Sequence, residues 1–237
     1  MLRKWQDIPE FMRCPEVREY YNILRKKKGS IIIKRCFDLV MALLLLVILF
    51  LPMLIIAILI KLDSRGPVFF RQERVTAYGK KFRIHKFRTM VVNADKKGSS
   101  VTVDNDPRIT RVGAKLRGLR LDEFPQLIDV LEGNMSFVGT RPESVKYVRQ
   151  YSKEMYATLL LPTGITSEAS IRYKDEAKLL SGVNDVDDVY VNLIMPEKMK
   201  YNLRSVRQFS LIGEALTLGR TVLAVCGKTY DTIEKEA

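Results

Sequence analysis

Between Leu39 and Ile60 the chain runs for about 22 residues without a charge, and a straight helix of that length covers roughly 33 Å, enough to cross a bilayer. The run is too long for the apolar part of a signal peptide and comes after too long a polar segment, so no cleavage is expected. Pro52, near its middle, removes one N–H and frees the carbonyl of Ile48, which costs on the order of 3 kcal/mol or kinks the helix. Both flanks are basic: Arg25 to Lys28, Lys34 and Arg35 before, and Lys61, Arg65, Arg71 and Arg74 after. Positive charge marks the cytoplasmic side, so this pattern places both ends there. A helix bent at Pro52 that enters and leaves by one face satisfies both observations, whereas a kinked single-pass span satisfies only the first. Asp38, with Lys34 and Arg35 one turn before it, is expected as a paired, snorkelling acid at the interface.

The remainder of the chain must then work at a membrane surface. The formal charge of +13, from 40 Lys and Arg against 27 Asp and Glu, favours anionic partners: nucleic acid, anionic lipid or anionic substrates. The three cysteines, Cys14, Cys36 and Cys226, are far apart and show neither metal spacing nor a disulfide framework, so reduced thiols are expected. The single histidine, His85, lies in an alternating strand-like run and reads as structural. No HExxH, Walker A or GxGxxG pattern and no internal repeat is present.

After the apolar run comes Gly66 to Val75, and beyond a turn at Tyr78-Gly79 comes Lys81 to Met90, where Phe82 and Ile84 alternate with Arg83 and His85; this predicts a β-hairpin, with Phe69 and Phe70 placed to touch lipid headgroups. Residues 93–107 are polar and read as a loop that could close over a substrate. Lys146 to Leu161 reads as helical, Leu161 to Thr166 as a turn, and Asp185, Asp187 and Asp188 as a solvated loop or helix start. Arg204 to Val225 carries apolar residues at helical spacing, suited either to the membrane interface or to packing on the core.

The chemistry concentrates at Asp122-Glu123. Two adjacent acids lie where one helical pattern stops and another begins, so Asp122 is expected near an N-cap with Glu123 in the first turn, and Gly133 as the stop of that helix. The positive end of the helix dipole would keep such a carboxylate ionised. A cap needs no arginines, yet Asp106-Pro107-Arg108-Ile109-Thr110-Arg111, Arg117 and Thr140-Arg141-Pro142 converge on the pair, and guanidinium groups match phosphate oxygens. An ionised carboxylate can attack phosphorus once the phosphate charge is neutralised, and hard oxygen ligands beside phosphates point to Mg²⁺.

The runs Lys86-Phe87-Arg88-Thr89-Met90, Thr110-Arg111-Val112-Gly113, Leu121 to Leu127, Met135-Ser136-Phe137-Val138-Gly139 and Arg141-Pro142 occur together in that order. From about Ile33 to Val225 the chain resembles the bacterial initiating sugar transferases, the monotopic phosphoglycosyl transferases that act on polyprenyl phosphate. The resemblance implies an α+β, mostly helical fold: a basic cytosolic segment 1–35, a re-entrant membrane helix 36–62 bent at Pro52, and a cytosolic catalytic domain 63–237 with a small β-hairpin and interfacial amphipathic helices. It implies transfer of a phospho-sugar from a UDP-sugar to undecaprenyl phosphate, with Asp122 attacking the β-phosphorus, UMP leaving, and Glu123 assisting the metal or the incoming phosphate. Arg117 and Arg141 match the phosphate-contacting arginines, Arg111, Arg88 and Lys86 are further candidates, and Arg71 and Gln72 match family positions. Asp122 and Glu123 would hold Mg²⁺.

The implied setting is the cytoplasmic face of the bacterial inner membrane, among anionic lipids, with both termini cytosolic, no nucleic acid, and room for a homodimer. Three departures stand out: Leu51 where the family has Ser before the proline, Thr140 where it has Pro, and Val75-Thr76 where it has a glycine. The competing reading is a membrane-tethered nucleic-acid-binding or scaffold protein, which the charge alone would allow.

Overall fold

The computed structural model describes residues 2–94, 106–174, 176–180, 185–228 and 230. The fold is mostly helical with two small sheets. In chain order it contains α1 (Pro15–Lys26), α2 (Lys28–Asp63), β1 (Phe69–Val75), β2 (Lys81–Phe87), α3 (Arg111–Gly118), α4 (Gln126–Leu131), β3 (Met135–Val138), α5 (Val145–Val148), β4 (Thr163–Thr166), α6 (Glu168–Arg172), α7 (Glu176–Leu179), α8 (Val186–Val189), α9 (Met195–Arg207) and α10 (Leu211–Val225).

The apolar run lies within α2, a 36-residue helix that starts at Lys28 and carries Pro52 inside it. Its inward residues recur at helical spacing. Before the proline, Ala42, Leu45, Leu46 and Leu49 pack against Phe82, Ile84, Leu127, Val130 and Met135. After it, Met53, Ile56, Ala57 and Ile60 pack against Phe87 and Leu116. The opposite face, including Val47, Ile48, Phe50, Leu51 and Leu54, is exposed.

Polar contacts fix both ends of the run to the same body. Arg35 donates to the carbonyls of Met135 and Leu131 at 3.4 and 3.5 Å. Asp38 is buried and accepts from Ser136 Oγ at 2.7 Å and from the Phe137 N–H at 3.4 Å. It is therefore a docking group rather than a snorkelling acid, although Lys34 stays 3.8 Å away. At the far end Asp63 accepts from the Val112 N–H at 3.1 Å, and Arg88 donates to the last carbonyls of α2.

The basic N-terminal segment folds onto the core. Val17, Tyr20, Tyr21 and Leu24 form one stripe of α1, and with Ile8 and Met12 they are buried against Leu159, Leu160, Val206 and Phe209. Tyr20 Oη donates to Glu154 at 2.5 Å. The charged residues of α1 face outward, which is how a segment with so many lysines and arginines still supplies core.

The β-hairpin forms as expected: β1 and β2 pair antiparallel through a turn in which Tyr78 (φ 59°) and Gly79 (φ 73°) are left-handed. The second sheet corrects the reading of Leu161 to Thr166 as a turn, because Thr163–Thr166 is strand β4, parallel to β3. Its signal is hidden by Gly164, which is there because a Cβ would come within 2.1 Å of the Gly139 nitrogen. The helix expected over Lys146–Leu161 is also broken. It ends after Val148, and a 3-10 turn comes next at Met155–Leu160, since burying Tyr147, Tyr151, Leu159 and Leu160 together requires the chain to fold back.

The expected helix over Arg204–Val225 is two helices, separated where Ser210 caps α10 by accepting from the Gly213 N–H. Val206 and Phe209 join the core, whereas α10 has no buried residue and exposes Ile212, Leu216 and Leu223. Asp185 caps α8, as the helix-start reading required. Most of the 93–107 loop lies outside the described residues.

Candidate active site

A cleft of about 1400 Å³ opens between the hairpin, the acid pair, the Arg141 loop and the helices of the C-terminal half. That exceeds the volume a single small ligand usually needs. Arg120 adopts a left-handed conformation (φ 58°), and the chain turns there from α3 into a 3-10 turn at Leu121–Glu123. Asp122 is therefore not the N-cap of the next helix. Pro125 has no N–H to give, so the α ladder begins only at Gln126.

Asp122 and Glu123 share the cleft but differ in environment. Arg141 grips Glu123, and Lys86 Nζ is 3.1 Å from Glu123 Oε1. Burial pushes Glu123 up, but Arg141 and Lys86 outweigh it and hold the carboxyl well below the ordinary range. The Arg141 guanidinium is pushed up by Glu123. Asp122 is buried, and among the described residues its carboxylate takes no hydrogen bond. Burial pushes it above the usual aspartate value, with Lys86 pulling it down and Glu123 pushing it up. The expectation that a helix dipole would keep Asp122 ionised is corrected: the opposing influence is the cation cluster.

The other expected residues divide. Arg117 lines the cleft, donates to Thr89 Oγ1 at 3.5 Å, and is electrostatically coupled to Asp122 first among its carboxylate neighbours, although burial sets the direction of its own shift downward. Gln72 lines the cleft and accepts from Arg74 Nη2 at 2.6 Å. Arg71, its exposed neighbour in the strand, also lines the cleft, and its guanidinium donates to the Arg83 carbonyl at 2.8 and 3.1 Å.

Arg88 reaches the cleft, but its guanidinium caps α2 through the carbonyls of Ser64 (2.7 Å), Ile60 (3.5 Å) and Arg65. Arg111 is exposed and outside the cleft: it lies six residues before Arg117 on α3, roughly 120° around the helix.

Sequence reasoning missed several groups. Arg74, Glu143, Tyr190 and Lys198 form a buried polar wall, with Tyr190 Oη donating to Glu143 at 2.5 Å and Lys198 Nζ donating to Glu176 at 2.8 Å. No motif surrounds Lys198; only folding brings α9 there. Gln126 is also buried in the cleft wall, with neither amide atom partnered among the described residues. Four residues after Asp122, it was legible as a neighbour but not as a site residue.

Two carboxylate groups could hold a cation. Asp122 offers hard oxygens that take no hydrogen bond among the described residues, which suits Mg²⁺, and Glu123 adds a second carboxylate already neutralised by two cations. His85, Asp129 and Glu132 also lie together. That cluster is internally satisfied, because Asp129 accepts from both the ring and the backbone N–H of His85, and Glu132 accepts from Asn134.

The family described as bacterial sugar transferase matches residues 29–228. The chain belongs to this family. The bacterial sugar transferases similar to it include a UDP-N-acetylgalactosamine-undecaprenyl-phosphate N-acetylgalactosaminephosphotransferase of Aeromonas hydrophila, 37% identical over 198 residues, covering 81% of this chain and 43% of the relative. A UDP-glucose:undecaprenyl-phosphate glucose-1-phosphate transferase of Escherichia coli K12 is 36% identical over 184 residues, covering 76% of this chain and 37% of the relative. The chain thus spans less than half of either protein, whereas it covers 87% of a Bacillus subtilis relative that is 39% identical over 160 residues. The family match begins after α1 (Pro15–Lys26), whose apolar stripe packs against the core.

Proposed function

We propose that this chain is a phosphoglycosyl transferase that moves a sugar-1-phosphate from a UDP-sugar to undecaprenyl phosphate in bacterial polysaccharide assembly. The observation that carries the mechanism is the Asp122 carboxylate, free of hydrogen bonds among the described residues, in a cleft whose other walls supply Lys86, Arg117 and Arg141. An Asp122 oxygen attacks the β-phosphorus of the donor. The aspartyl O–P bond forms as the bond from that phosphorus to the bridging oxygen breaks, and the oxygen leaves with UMP. A phosphate oxygen of the lipid then attacks the same phosphorus. The aspartyl bond breaks, the carboxylate is regenerated, and polyprenyl-diphosphate-sugar forms.

Arg117 and Lys86 neutralise charge on the phosphates, and Glu123 holds Arg141 and Lys86 in place. Mg²⁺, when bound at Asp122 with Glu123 nearby, would supply further neutralisation of the diphosphate.

The membrane reading is a re-entrant helix on the cytoplasmic face, with both termini cytosolic. Its support is that α1, before the apolar run, packs against Leu159, Leu160, Val206 and Phe209, which lie after it. A helix crossing the bilayer would put these on opposite sides. The contacts of Asp38 and Asp63 with the same body argue the same way. Labelling Cys14 and Cys226 from each side of sealed vesicles tests this: both should react from the cytoplasmic side, and reaction from opposite sides refutes it.

The activity test is UMP release from a panel of UDP-sugars with Mg²⁺. The wild type should release UMP with one of them, and Asp122→Asn should not; UMP release by the variant refutes the covalent route.

A further inference from the structure

Arg120 stands two residues before Asp122, where α3 gives way to the 3-10 turn. Its N–H donates to the Arg117 carbonyl at 3.1 Å, which makes it the residue just past the helix end. Its φ of 58° is left-handed, a conformation that crowds any Cβ and that helix ends often give to glycine. The fold alone would be served as well by glycine. A long side chain kept in that conformation beside a reacting group points to a use outside folding.

The side chain lines the cleft. Its Nη2 donates at 2.8 Å to the carbonyl of Lys174, which lies between α6 and α7 and lines the cleft as well. That partner is neutral, and among the described residues Nε and Nη1 make no hydrogen bond. Several other cations of the cleft are already matched. Lys86 and Arg141 share Glu123, Arg108 is paired with Asp106, and Lys198 with Glu176. Arg120 forms no ion pair among the described residues. Its charge still reaches the acid pair: burial, Arg141 and Lys86 act most strongly on the Glu123 carboxyl, and Arg120 adds to its lowering.

A guanidinium held at one nitrogen by a fixed carbonyl and open at the other two matches a pair of phosphate oxygens. Two residues span at most about 7 Å, so a phosphate joined to the one that Asp122 attacks lies within reach of this side chain. Lys86 and Arg141 are partly cancelled by Glu123, whereas the charge of Arg120 is not.

Resting on the transferase reading, we infer that Arg120 binds the diphosphate of the UDP-sugar through Nε and Nη1 while the Lys174 carbonyl holds Nη2. Arg120 is then a donor-binding residue, and the left-handed turn that presents it serves binding rather than stability.

The test uses the full chain in lipid nanodiscs with Mg²⁺ and compares the wild type with Arg120→Gly and Lys115→Gln. Lys115 is exposed on α3 outside the cleft, so its variant controls for the loss of one positive charge. Glycine accepts the left-handed backbone, so Arg120→Gly should melt close to the wild-type temperature. It should weaken inhibition by UDP about tenfold, leave inhibition by uridine unchanged, and slow the burst of UMP release measured without acceptor. Lys115→Gln should match the wild type in all three.

Full UDP affinity and a normal burst in Arg120→Gly overturn the inference. So does an equal loss of uridine and UDP affinity, which marks a disturbed cleft, and so does an effect confined to the KM for undecaprenyl phosphate, which moves the fork to the acceptor. Each of these leaves the transferase reading standing. Absence of a UMP burst in the wild type with every UDP-sugar of the panel overturns that reading, and the comparison of UDP with uridine, which needs no turnover, judges Arg120 separately.

Discussion

Arg141 holds both carboxylate oxygens of Glu123, while the neighbouring Asp122 takes no hydrogen bond among the described residues. The two acids therefore contribute to stability with opposite sign. The depressed Glu123 carboxyl stabilises the fold above the ordinary carboxylate range, and that contribution is lost as pH falls through its folded value. Glu123→Gln leaves Arg141 and Lys86 without their shared anion, so it should cost on the order of 3 kcal/mol at neutral pH. Denaturant unfolding in detergent at neutral and acidic pH checks this: the gap from wild type should narrow in acid.

Asp122 behaves in reverse. Burial raises it, so its ionised form opposes folding, and relative stability is greatest below the unfolded aspartate range and lost as pH rises through the folded value. Asp122→Asn should raise the melting temperature at neutral pH, with the difference vanishing in acid, while UMP release is abolished. A gain in stability together with a loss of chemistry marks a residue placed for reaction rather than for folding.

Lys86 is the cation that most lowers Asp122. Lys86→Met should move the acid limb of the pH profile for UMP release to higher pH and lower the rate, since more of the Asp122 carboxyl is then protonated at a given pH. Lys86→Arg should restore the position of the limb. A loss of rate with no movement of the limb would mean that Lys86 acts only on the substrate phosphate.

Local patterns made the hairpin, the apolar helix and the acid pair legible, because alternation, an uncharged run and adjacent carboxylates are properties of neighbouring residues. Strand β4 was not, since its pairing with β3 depends on Gly139 and Gly164 meeting backbone to backbone. Nor was the commitment of Arg88. A guanidinium beside a phosphate motif reads as a phosphate ligand until the end of α2 is seen to occupy it. Asp38 and Ser136 are 98 residues apart, and no pattern could pair them. Lys198 failed for the same reason.

The Asp38–Ser136 contact gives a separate test of how α2 is held. Asp38→Ala leaves the Ser136 hydroxyl and the Phe137 N–H without their acceptor inside the protein, which should cost about 1–3 kcal/mol. Because the contact lies at the start of the apolar run and away from the acid pair, KM for the UDP-sugar should hold. Faster limited proteolysis around α2 in detergent, with the donor KM unchanged, is the expected result. A large rise in donor KM would place Asp38 in the donor site instead.

Gln126 offers the sharpest contrast between folding and function. Its carboxamide is buried in the cleft wall, and neither the nitrogen nor the oxygen has a partner among the described residues. Each such group costs about 1–3 kcal/mol relative to one that is hydrogen bonded. Gln126→Met keeps the side-chain length and removes both polar atoms, so it should raise the melting temperature by a few degrees, roughly as expected for 1 kcal/mol in a chain of this size. Gln126 comes four residues after Asp122 along a right-handed turn, which puts the two on one side of the chain. If the amide serves the reacting groups once the substrates are bound, the stabilised variant should release UMP more slowly at saturating donor. Melting curves and single-turnover UMP release on the same preparation decide it. A variant both more stable and fully active would make Gln126 an unused polar residue, and one that is less stable would show that the amide finds partners within the fold.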